Sequence, residues 1–209
     1  MNPIDGSVWF TTLGFPGKLV RVDRGANPPA TCRTEVYEPP YENPKAPGKV
    51  GFFARGLSVD GNGVLWAALA GSGHLASFDR RKCAVRTGTG QQCPEGWIFH
   101  QMPGPEMTGA SGFSADYPYY DWVDRFDALG LGKNTAIATG TNSDSLVALR
   151  PGTNKWIVMR VPYPMGLYTR GLDGRIDDAR GSWKDRGLWT SNATIPVWHE
   201  ERGMEAKSL

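Results

Sequence analysis

The sequence predicts an all-β propeller, and three observations carry that prediction. A unit of two short alternating strands and an outer strand is written three times: Val8–Thr12 with Leu19–Asp23 and Glu35–Pro39, Val64–Leu69 with His74–Asp79 and Trp97–Gln101, and Asn134–Thr139 with Ser145–Arg150 and Trp156–Pro162. A fourth copy opens at Arg186-Gly187-Leu188-Trp189-Thr190 and stops early. Between the strands lie turn-forming stretches such as Gly61-Asn62-Gly63, and no helical period lasts beyond about two turns. Repeated four-stranded units of this kind are blades of a propeller.

The second copy sets the frame. Arg55–Asp60 reads as the inner strand, Gly61-Asn62-Gly63 as a tight turn, then second, third and outer strands follow. On this frame the blades fall roughly at 5–50, 51–106, 125–166 and 167–209, about three and a half in all. The first copy enters without an inner strand. Propellers close with four or more blades, so the expectation is a fragment, or a ring completed by further blades or a second chain. Insertions at 103–127 and 173–184 break the unit. The first, aromatic and acidic, joins an outer to an inner strand and is expected to overhang the channel mouth.

Composition narrows the function classes. Among 209 residues, 27 glycines and 16 prolines suit many turns, and a net charge of +2 without a basic cluster gives nucleic-acid binding no support. Apolar runs are too short to span a bilayer. Cys83 and Cys93 flank a Gly/Thr/Gln-rich connection. Either they are two reduced thiols, or they form a disulfide worth roughly 3 kcal/mol that implies an oxidising compartment. Cys32 has no evident partner.

Several motifs fail on their surroundings. Gly71-Ser72-Gly73-His74 precedes another strand where a dinucleotide fingerprint needs a helix. His199-Glu200 lacks the second histidine of a zinc-protease helix, and Asp173–Asp178 lacks the oxygens of an EF-hand. Two sets of candidates remain. Arg55, Arg125 and Arg170 are placed at the starts of inner strands, where a guanidinium forks onto a carboxylate or phosphate, or else pairs blade to blade. With Tyr119, Tyr120, Asp121 and Trp122 they would hold an anionic or aromatic small-molecule or peptide ligand. His74 and His199 lie near turns between second and third strands, where an imidazole could serve as a base. His100 lies mid-strand and reads as structural.

The units Asp5-Gly6-Ser7-Val8-Trp9-Phe10-Thr11 and Gly17-Lys18-Leu19-Val20-Arg21-Val22, with Trp66, Ile137 and Trp189 at the recurring tryptophan position, resemble those of the streptogramin B lyase (virginiamycin B lyase) propellers. More loosely, they are similar to NHL- and SMP-30-like propellers. The resemblance implies elimination at an ester linkage of a cyclic depsipeptide, by a histidine base beside a magnesium ion at the channel mouth. It supplies no residue-by-residue match. His74 or His199 as base and Glu200 beside the ion are the candidates; a periplasmic or secreted location is the expectation, with a cytoplasmic one as the alternative.

Overall fold

The computed structural model describes residues 1–161, 171–175, 187–191, 197–199 and 203–205. They form antiparallel sheets radiating as propeller blades. The first holds β1 (Val8–Thr12), β2 (Lys18–Asp23) and β3 (Arg33–Tyr37), in that order. The second is a full four-stranded blade of β4 (Ala54–Val59), β5 (Leu65–Leu69), β6 (His74–Phe78) and β7 (Trp97–Gln101). The third repeats it with β8 (Asp121–Asp124), β9 (Thr135–Gly140), β10 (Ser145–Leu149) and β11 (Trp156–Arg160). β12 (Leu172–Arg175) pairs with β13 (Gly187–Thr190) as the inner half of a fourth, and β14 (Val197–His199) pairs with β15 (Gly203–Glu205). About three and a half blades are present.

Stacking blade on blade explains which strands lose their alternation. A middle strand has a neighbouring sheet on both faces, so apolar or small residues are needed at every position. Accordingly all of β6 and all of β9 is buried. Outer strands β3, β7 and β11 keep exposed positions because solvent reaches them. Between the first two blades, Trp9, Leu19, Tyr37, Leu65, Phe78 and Trp97 form one core; Leu75, Met102, Val123, Ala136, Val147 and Leu149 form the next. The recurring tryptophan position falls on the second strand of each blade. Trp66 pairs with Ser58, Ile137 with Trp122 and Trp189 with Asp173, each across an inner strand.

An aspartate ends each complete inner strand. Asp60 Oδ1 accepts from the amides of Asn62 (2.8 Å) and Val64 (2.9 Å), which closes the two-glycine turn. Asp124 does the same for a longer connection, accepting from Ala128 (2.9 Å) and Leu129 (3.0 Å). That longer connection, 125–134, corrects the expected frame. Counting back from β9 with a short turn puts the third inner strand at Arg125, whereas it lies at Asp121–Asp124. Arg125 therefore stands past the far end of its inner strand, on the face opposite Arg55, with its guanidinium 5.8 Å from the Phe126 ring.

Cys83 and Cys93 are bonded, sulfur to sulfur at 2.03 Å, across the connection from β6 to β7, and Cys32 is exposed and free. Five charged and polar groups tie the first two blades together at their lower edge. Buried Arg21 reaches Asp5 (2.9 Å), Asp23 (3.0 Å) and Glu35 (3.2 Å), and Arg80 from the next blade forks onto the same Glu35. Burial alone would raise the Glu35 carboxyl, yet hydrogen bonds from Arg80 and Tyr37 outweigh it and hold Glu35 below the usual range.

The insertion after β7 is bolted down. Asp116, fully buried, accepts from the Ser143 amide (2.8 Å) and hydroxyl (3.0 Å) in the turn between β9 and β10. Thr141 Oγ1 donates to the Tyr117 carbonyl (2.7 Å), and Glu106 bridges to Ser114 within the insertion. Gly73 makes the close approach possible: it has φ +62°, and the Ser114 carbonyl leaves no room for a Cβ. Gly73→Ala is expected to cost about 2 kcal/mol from left-handed backbone strain and that contact. Urea unfolding checks this, and an unchanged midpoint would refute it.

Candidate functional site at the channel face

Connections from second to third strands, and from one blade's outer strand to the next inner strand, lie on one face. Two of the sequence candidates meet there through the start of the inner strands. β4 carries an irregular register between Ala54 and Leu57, and its Gly56 amide crosses to the Tyr119 carbonyl at 3.0 Å. Any side chain at Gly56 would collide with Asp121, so the two inner strands touch backbone to backbone. This approach brings Arg55 over the Tyr119 ring, 5.4 Å from its centroid. Tyr119 and Tyr120 follow with ring centroids 5.3 Å apart.

Arg55 Nε is buried without a hydrogen-bond partner, and no carboxylate among the described residues pairs with this guanidinium. A buried orphan donor costs about 1–3 kcal/mol unless something occupies it. Beyond Tyr120 a cavity of about 680 Å³ opens, lined by Tyr120, Gly171, Leu172, Asp173, Trp189 and Ser191. Tyr120 and Trp189 are both exposed to it. The volume suits a drug-sized molecule, and the lining combines two aromatic rings with a few polar groups.

Other candidates are placed differently. Trp122 packs on Gly174 of the fourth blade, whose missing Cβ its ring replaces. Asp121 points the other way, into the second blade, 5 % exposed, with neither carboxylate oxygen hydrogen-bonded. Burial raises its pKa well above the ordinary carboxylate value, against weaker pulls from the Ala68 and Ser58 backbone. In register it stands where Leu57 and Leu172 stand in the adjacent blades. The registering position to Arg55 in the third blade is thus Tyr119, not Arg125. Arg170 and Glu200 lie outside the described residues, as does the His199 side chain, although His199 itself is in β14.

His74 opens β6 and is not beside Arg55. Its ring lies between Phe99 (5.6 Å) and Phe113 (5.9 Å), and burial pushes its pKa down to about 4, with the Ser72 and Gly112 backbone pulling upward. His100 stacks on Trp66 at 5.7 Å and meets Asn154 through Nδ1 at 2.9 Å. Among the described residues no group of three or more His, Cys, Asp or Glu side chains could hold a metal ion. Sequence reasoning missed the orphaned Arg55 Nε and the burial of Asp121, because both depend on the Gly56 approach, which alternation does not encode.

No family sequence model and no curated protein matches the chain. Solved structures do. A streptogramin B lyase structure superposes with a TM-score of 0.55 at 14 % identity, over 98 % of this chain and 52 % of the other. A virginiamycin B lyase from Staphylococcus aureus aligns at 13 % identity over 90 % of this chain and 64 % of the other, with a TM-score of 0.33. The chain spans about half the length of the first of these. Its fold is that of the streptogramin B lyase propellers.

Proposed function

We propose that this propeller binds an anionic, aromatic-bearing small molecule or peptide at its channel face. The observation that carries the reading is Arg55: its guanidinium is stacked on Tyr119, its Nε is buried without a partner, and Tyr120 continues the stack into the 680 Å³ cavity. An acceptor on the ligand would satisfy the guanidinium, and its ring would lie against Tyr120 and Trp189. Asp173 on the same wall would disfavour a second negative charge, so the reading is for a monoanion with an extended apolar body. The bonded Cys83–Cys93 pair supports an oxidising compartment for the protein.

The test uses the fluorescent arylsulfonate 8-anilinonaphthalene-1-sulfonate. Saturable binding is expected, weakened about tenfold by Arg55→Gln, a change of ~1.4 kcal/mol. Tyr120→Ala should weaken it as well. If both variants fold and bind the dye as the parent does, the channel-face reading is wrong.

A further inference from the structure

A second cavity, of about 570 Å³, lies away from the Arg55 stack. One side is the link Pro47–Val50, the other is the insertion tip at Ser111, Gly112 and Phe113, and the outer strand β7 supplies Trp97, Ile98 and Phe99. His74 completes the lining. Neither Arg55 nor any residue of the channel-side cavity contributes.

Its chemistry is unusual for a surface groove. Two lining side chains, His74 (7 % exposed) and Trp97 (1 % exposed), carry buried ring nitrogens, Nδ1 and Nε1, with no hydrogen-bond partner. Natural interiors leave few such groups, and each costs about 1–3 kcal/mol. Lys49 lines the same cavity. Its ammonium donates to the carbonyls of Trp97 (2.7 Å) and Pro94 (3.4 Å), and none of the ion pairs among the described residues includes it. Two carbonyls leave the positive charge uncompensated and one N–H available. Around these groups the surface is aromatic: Phe99 and Phe113 flank His74. An imidazole held neutral by burial can present an N–H at Nδ1 without adding charge.

We propose that this cavity is a binding site for a carboxylate on a small aromatic body. The carboxylate would take the Lys49 ammonium and the His74 Nδ1 hydrogen, and the ring would pack on Phe99 and Phe113. A free arylalkanoic acid and the C-terminus of a peptide ending in phenylalanine present the same chemistry. The insertion tip roofs the site, which gives that long segment a role separate from the channel.

The experiment is a ¹⁹F NMR titration of the intact chain with 4-fluorophenylacetate. In the Arg55→Gln background, which removes the channel-face anion contact, saturable binding is expected to persist, at least tenfold weaker for neutral 4-fluorobenzyl alcohol and on adding Lys49→Met. A short peptide ending in 4-fluorophenylalanine, run beside it with and without C-terminal amidation, distinguishes a free acid from a chain terminus. Because Lys49 also braces two carbonyls, Phe113→Ala provides a variant at the half-buried insertion tip, outside β7, and it too should weaken binding about tenfold. Absence of saturation, equal binding of the alcohol, or full affinity in Phe113→Ala would each overturn the proposal.

Discussion

Replacing Arg21 by methionine is expected to destabilise the protein by about 3–5 kcal/mol, lowering Tm by roughly 6–15 °C. Arg21 is 5 % exposed and its guanidinium serves Asp5, Asp23 and Glu35 at once. Methionine replaces the stem and leaves three carboxylates crowded together, with only Glu35 keeping another cationic partner, Arg80. Glu35→Gln should cost less, since it removes one charge while the amide still accepts from Arg80. Calorimetry on both variants decides. A shift under about 2 °C for Arg21→Met would mean the cluster merely decorates the blade edge.

Asp121→Leu should move stability the opposite way, raising it by about 1–4 kcal/mol at neutral pH. The carboxyl is buried, neither oxygen is hydrogen-bonded, and the adjacent blades carry Leu57 and Leu172 at the same register. The pH dependence has a definite sign. A carboxyl whose folded pKa is raised above 3.8 favours the folded state fully below that value and loses its contribution as pH rises through the folded pKa. The advantage of leucine should therefore be smallest near pH 4 and grow toward neutrality. Parallel unfolding curves at pH 4 and pH 7 test this; a destabilised variant at pH 7, or an advantage that shrinks with rising pH, would contradict the account.

How much was legible in the sequence follows from what each feature depends on. Blade order and the strands of the second unit depend on local alternation and on turns such as Asp60-Gly61-Asn62-Gly63, and both are written in adjacent residues. The third inner strand was misplaced because its connection to β9 is longer than the two-glycine turn, and periodicity carries no measure of loop length. That slip also moved Arg125 to the wrong face. His74 follows the correct turn, but alternation does not say how far from the axis a strand begins, nor that Phe113 folds back over it. The sequence places Asp121 among the ligand-facing residues, whereas the fold buries it. Its burial comes from the Gly56 approach, a contact between residues 65 apart.

The pinning of the insertion has a consequence for how such a face could diversify. Asp116 and Tyr117 clamp its returning half onto the β9–β10 turn, while Gly73 receives it at Ser114. The stretch between Glu106 and Ser114 is consequently a closed loop on a fixed base. Its tip can accept substitutions or added residues while Tyr119 and Tyr120 stay where they are. Two surfaces of one molecule can thus drift at different rates, the outer one changing its shape while the inner one keeps its geometry.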